Sequence, residues 1–219
     1  MLKRCSLTTA ATLLVLLLAG LPATAADRWE KKIQAFEAAD RAHPPQPNGI
    51  VFIGSSSIVK WDLAKWFPGL PVINRGFGGS QIADSVRYED RILIPYKPRI
   101  VVFYAGDNDI AAGKSPEKVF ADYKAFVAKL RRALPKTRVV YIAIKPSLKR
   151  WELVDKMREA NRMIRTYAGQ DPLQDFVDID KPMIRADGKP RPELFAADGL
   201  HLSPEGYKLW TSLIRPYLE

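Results

Sequence analysis

Five short apolar runs recur along the chain: IVFIG at 50–54, PVINRG at 71–76, RIVVFYAG at 99–106, RVVYIAI at 138–144 and DFVDID at 175–180. Each is rich in β-branched and aromatic residues and reads as a strand. The apolar positions are nearly continuous, as in strands covered on both faces of a parallel sheet. Between the runs the apolar spacing is helical. In SPEKVFADYKAFVAKLRRALP it falls on Val119, Phe120, Tyr123, Phe126, Val127, Leu130 and Leu134, with Ser115 placed as N-cap and Pro116 as the first helical residue. The segments 151–168 and 204–218 read similarly, and in the second Tyr207, Trp210, Leu213, Ile214 and Tyr217 share a face. HPPQPNG at 43–49 is a stiff connector between an N-terminal helix and the first strand. Alternating strand and helix predict an α/β fold, a three-layer α/β/α sandwich on a five-stranded, mostly parallel sheet.

In such sheets ligands bind where the strands end at their C-terminal edge. The first run ends in GSSS, the second in NRGFGGS and the third in GDND, and a fourth polar cluster, DGLH at 198–201, precedes the last helix. The triple serine, Ser55 to Ser57, raises the question of a nucleophile.

Composition changes this picture at the N-terminus. Lys3 and Arg4 precede an uncharged stretch centred on LLVLLLAGL, which ends in small residues at Ala23 and Ala25. That pattern predicts a secretory signal peptide over residues 1–26, a single domain over 27–219, and a periplasmic or secreted protein that meets the membrane only through the leader. A membrane anchor is the alternative, and the strongly apolar part is short for a span. Cys5, the only cysteine, precedes the apolar run, so it is not a lipid-bearing residue, and cleavage would remove it. With 219 residues, 47% of them hydrophobic, the chain suffices for one sizeable core. The net charge of +10 is scattered over mixed-sign segments, which reads as a solvated surface and argues against nucleic acid as a partner. Oligomeric state is not legible.

Several motifs fail on inspection. GSSSI lacks the second glycine of the G-x-S-x-G elbow, GFGGSQ has Gln81 where a dinucleotide fingerprint needs glycine, and AAGKSP has Asn108 where a phosphate loop begins with glycine. Two histidines and no retained cysteine make a poor metal set, so neither metal nor cofactor is expected. A serine nucleophile needs a base near neutral pH. His43 sits in the connector, away from any acid on the active edge, whereas His201 lies three residues after Asp198, close enough for the acid to orient the imidazole. Taken alone, that pair could equally cap the helix behind Ser203.

Together the blocks resemble the SGNH hydrolases, the GDSL-type esterases and lipases. FIGSSSI aligns with the first block: Gly54 matches its glycine, Ser55 replaces the aspartate, Ser56 takes the nucleophile position and Ser57 replaces the leucine. NRGFGGS fits the second block, from Asn74 to the glycine position at Gly79. Gly106, Asp107, Asn108 and Asp109 meet G-x-N-D in full, and Asp198 and His201 meet D-x-x-H. The blocks keep the family's order from Val51 to Tyr207.

The resemblance implies the flavodoxin-like SGNH fold and a serine ester hydrolase. It assigns Ser56, Asp198 and His201 to a catalytic triad and the Ser56 amide, the Gly79 amide and the Asn108 side chain to an oxyanion hole, with Ser55 and Ser57 as turn residues or helix caps. The absence of room for a lid domain favours short acyl groups such as acetyl esters on glycans over long-chain lipids. Trp61 and Trp151 are candidate sugar-stacking residues, and Lys145, Lys149 and Arg150 could meet an anionic substrate or simply face water. Two alternatives stay open: acyl transfer from the same site, and a non-catalytic module binding a glycan or phosphate ester on the same fold.

Overall fold

The computed structural model describes residues 28–219. The leader expected over 1–26 lies outside these residues.

In chain order the elements are α1 (Glu30–Ala42), β1 (Ile50–Gly54), the short helices α2 (Ser56–Val59) and α3 (Leu63–Trp66), β2 (Val72–Gly76), α4 (Ile82–Ile92), β3 (Ile100–Tyr104), α5 (Asp107–Ala111), α6 (Pro116–Ala133), β4 (Arg138–Ile142), α7 (Val154–Ala168), β5 (Gln174–Val177) and α8 (Pro204–Ile214). The expected starts and stops hold within a few residues. Ser115 caps α6 by accepting the Lys118 N–H, with Pro116 at the first helical position. The fifth strand is the main correction: it stops at Val177, where the Asp178 carboxylate accepts the Asp180 N–H at 3.0 Å and turns the chain.

The sheet order is β2-β1-β3-β4-β5. Every pairing between these strands is parallel, where the sequence suggested only mostly parallel. Alternate residues of each strand feed two separate cores. Val51, Ile53, Val101, Phe103, Val139 and Tyr141 face α1, α4, α6 and α7. Ile50, Phe52, Val102, Tyr104, Val140 and Ile142 face α2, α3 and α8. This is the three-layer sandwich, and it explains why the strands read as unbroken apolar runs. The chain leaves β1 for β2 on one side and later crosses to β3 on the other, so the order reverses between β1 and β3. Their C-terminal ends flank the crevice that such a reversal opens.

One core position is at odds with its surroundings. Glu89 of α4 is fully buried, and neither carboxylate oxygen has a hydrogen-bond partner. Burial pushes this carboxyl up to about 9, although Lys129 pulls the other way. The native state therefore holds a proton that the unfolded chain releases near 4.5, so stability declines as pH rises between those values. Glu89→Gln should abolish that slope. By pH 7 the variant should gain about 3 kcal/mol over the native sequence, while the two converge towards pH 4.5. Urea unfolding across pH checks this, and equal slopes would show that Glu89 is ionised in the fold.

Candidate active site

The first block is built around a turn that only glycine accommodates. Gly54 ends β1 with φ +137°, and a Cβ there would lie 1.9 Å from the Tyr104 carbonyl oxygen. The close approach lets Ser55 N–H donate to Tyr104 O at 3.0 Å, and the chain then enters α2 with Ser56 as its first residue. Ser55 and Ser57 are each 1% exposed. Of the two expected roles, turn residue or helix cap, the cap is not formed: Ser55 holds the N-cap position but makes no side-chain cap bond, and both hydroxyls lack a partner among the described residues. Only Ser56 of the three is partly exposed.

Two distant residues hold this turn. Asn74 of β2 donates to Ile58 O at 2.6 Å, capping the carbonyl end of α2, and its Oδ1 accepts the Gly76 N–H at 2.9 Å. Tyr207 of α8 donates to Ser57 O at 2.9 Å. The sequence placed Asn74 at the start of a block and Tyr207 on an apolar face, without these roles.

The last block folds back onto Ser56. His201 Nε2 is 3.0 Å from Ser56 Oγ, and His201 Nδ1 is 2.5 Å from Asp198 Oδ2. Asp198 Oδ1 also accepts the Leu200 and His201 N–H groups, both at 2.9 Å. Hydrogen bonds from the His201 ring, the His201 amide and the Leu200 amide hold the Asp198 carboxyl well below the usual carboxylate range. An anionic acid on Nδ1 leaves Nε2 free to accept a proton.

The second block lies beside the first. A Cβ on Gly78 would be 4.0 Å from the Ser56 Cβ. Gly79 has φ +75°, and a Cβ there would meet the Arg28 guanidinium at 2.5 Å. The amides of Ser56 and Gly79 donate to no backbone carbonyl among the described residues. The loop is pinned at both ends. Trp29 Nε1 donates to Gly78 O at 3.1 Å. Asp109, fully buried, accepts the Ile82 N–H at 3.2 Å, which anchors the start of α4. Burial raises the Asp109 carboxyl, and Lys114, 2.9 Å away, opposes the shift.

Asn108 joins this loop to the third strand. Its Nδ2 donates to Ser80 O at 3.0 Å, and its Oδ1 accepts from Arg150 Nη2 at 3.1 Å. Next to it, Asp107 Oδ2 is 2.9 Å from Lys145 Nζ and 3.1 Å from Arg150 Nη1. Burial alone would raise the Asp107 carboxyl, but the two cations outweigh it and hold it below its ordinary value.

Two expectations about substrate contacts are corrected. Trp61 is 2% exposed, with its ring 5.4–5.7 Å from those of Phe52, Phe67, Tyr207 and Trp210. It packs the core under α2 and cannot stack on a sugar. Lys145 is also buried, paired with Asp107 and 2.9 Å from the Tyr104 hydroxyl, so it meets neither bulk water nor a substrate charge. Trp151 is half-buried, and Arg158 and Lys189 approach its ring at 5.6 and 5.3 Å. A cavity of about 250 Å³ lies elsewhere, lined by Ile50, Val72, Tyr96 and Pro98 where the strands begin. The Tyr96 hydroxyl there is bonded to Asp40, and the cavity brings no nucleophile and base together. Among the described residues no His, Cys, Asp and Glu cluster forms a metal site.

Known proteins are similar to this chain in sequence and in fold. Platelet-activating factor acetylhydrolase IB subunit alpha1 of Homo sapiens is 29% identical over 187 residues, which is 82% of this chain and 78% of that one. A GDSL-like lipase from Bacteroides thetaiotaomicron superposes with a TM-score of 0.75 at 23% identity, covering 85% of this chain and 96% of that one. An acetylxylan esterase from Geobacillus stearothermophilus superposes with a TM-score of 0.62 at 15% identity, covering 78% and 94%. Residues 48–209 match the model of the GDSL-like lipase/acylhydrolase family. That match takes in all four blocks, and the chain belongs to this family of ester-hydrolysing enzymes.

Proposed function

We propose that the protein hydrolyses short-acyl esters, acetyl esters foremost, through a serine-bound acyl intermediate. The observation that carries this reading is the continuous relay from Ser56 Oγ to His201 at 3.0 Å and from His201 to Asp198 at 2.5 Å.

Ser56 Oγ attacks the ester carbonyl while His201 Nε2 takes its proton. Asp198 keeps the proton of His201 on Nδ1 and stabilises the imidazolium. Negative charge gathers on the carbonyl oxygen, where the Ser56 and Gly79 amides and the Asn108 amide act as donors. His201 returns the proton to the leaving alcohol. Water then repeats the cycle, releasing the acid and restoring the Ser56 hydroxyl. The acetyl preference is supported by the names of similar proteins: a platelet-activating factor acetylhydrolase subunit and an acetylxylan esterase. Export through the apolar leader belongs to the same proposal, and N-terminal sequencing that starts at Ala26 or Asp27 would support it.

The test is a chain-length series of p-nitrophenyl esters. Acetate should be cleaved with a kcat/KM at least tenfold above that for decanoate, and a fluorophosphonate should label Ser56 and inactivate the enzyme. A preference for long chains would overturn the acyl assignment. No labelling and no turnover would favour a binding module. Adding an alcohol acceptor separates the reaction types, because a transferase would yield the acceptor's ester in place of free acid.

A further inference from the structure

We propose that Arg150 is a positioning residue that fixes the orientation of the Asn108 amide and sets a positive charge behind it. This rests on the oxyanion role proposed for Asn108.

The two partners of Asn108 allow one amide orientation. Arg150 Nη2, a donor, meets Oδ1 at 3.1 Å, and the Ser80 carbonyl, an acceptor, meets Nδ2 at 3.0 Å. Turning the amide over would set donor against donor and acceptor against acceptor. With Oδ1 held by the guanidinium and one N–H held by Ser80, the second N–H remains to donate. A cation on the carbonyl oxygen also draws charge from the nitrogen and strengthens that donation.

Arg150 is itself held. Its Nη1 is 3.1 Å from Asp107 Oδ2, and its side chain is 18% exposed. A lone Asp107–Arg150 pair would cancel most of the guanidinium's field. Lys145, 1% exposed, sits 2.9 Å from the same carboxylate oxygen. The trio thus keeps one net positive charge beside the amide. The low-dielectric surroundings strengthen its polarisation of that amide, so its effect on a developing oxyanion passes through the Asn108 N–H. The backbone carries the arrangement to the opposite side of the site: Lys149 N–H donates to Gly199 O at 3.0 Å, between Asp198 and His201. The loop from Lys145 to Arg150 touches both the amide and the histidine loop, although it lies outside the four family blocks.

The experiment is a double-mutant cycle on the full chain, with p-nitrophenyl acetate as substrate. Arg150→Gln should lower kcat about 10- to 30-fold with KM within about twofold. Arg150→Lys, which keeps the charge, should recover most of the loss. Asn108→Ala should lower kcat about 10²- to 10³-fold, and adding Arg150→Gln to it should cost less than about threefold more. Unfolding midpoints and fluorophosphonate stoichiometry show that each variant is folded. Three results would overturn the proposal: an unchanged kcat in Arg150→Gln, a loss that multiplies in full onto Asn108→Ala, or a rise in KM alone, which would make Arg150 a substrate contact. A fully active Asn108→Ala is distinguishable from these and removes the oxyanion role on which the proposal stands.

Discussion

Ser56→Ala and His201→Ala should each lower kcat for p-nitrophenyl acetate by about 10⁴-fold or more, and the double variant should be no worse than either single one. The two groups act as one unit. Without the hydroxyl the base has no proton to take, and without the base the hydroxyl is a weak nucleophile. Asp198→Asn should retain the fold but place an amide N–H donor against Nδ1, turning the protonated ring nitrogen towards Ser56. A loss of about 10²- to 10⁴-fold is expected there. Steady-state kinetics on variants with native circular dichroism checks all four proteins. Full activity in Ser56→Ala would sink the assignment outright, because Ser55 and Ser57 are each 1% exposed and offer no accessible substitute.

Gly54→Ala should be the most destabilising single-methyl change in the chain's active edge. The added Cβ would fall 1.9 Å from Tyr104 O, and φ of +137° is strained for any residue with a Cβ. Neither partner can yield cheaply, since both are central strand backbone paired in register, Gly54 with Tyr104. Backbone strain of about 1–3 kcal/mol adds to an overpacking cost of similar size, so a loss of about 4 kcal/mol is expected. For a domain of this length that lowers Tm by about 8–16 °C. Calorimetry measures it. Activity should fall further than stability alone explains, because the methyl pushes apart the turn that aims Ser56. A variant with native Tm would mean that the β1–β3 approach at Gly54 is not held as tightly as its geometry implies.

The layered α/β architecture was legible because burial on both faces writes itself into the strands as unbroken apolar runs, and the helices into a 3.6-residue spacing. The four polar clusters were legible because they fall at the edge where strands of such a sheet end, and the positions of Gly54 and Gly79 within them followed from the resemblance to the SGNH hydrolases. Chemistry narrowed the base to His201, since only one of two histidines has an acid at a useful spacing.

Other features depended on separations that sequence order does not measure. Trp61 and Trp151 look alike as aromatic residues after a strand, yet one fills the core under α2 and the other carries Arg158 and Lys189 against its ring. Ser55 and Ser57 read as turn residues or caps, but the side-chain cap of α2 is supplied at its other end by Asn74 from a neighbouring strand. Lys145 and Arg150 read either as contacts for an anionic substrate or as surface charge until the fold brings them to Asp107, some forty residues earlier in the chain. Local periodicity and the scarcity of chemically suitable residues determined the fold class and the four blocks from sequence alone. The order of the strands, the reversal between β1 and β3, and the charges behind Asn108 were decided only in three dimensions. Contacts between residues distant in sequence have no fixed spacing, and they become favourable only once the sheet has brought their partners together.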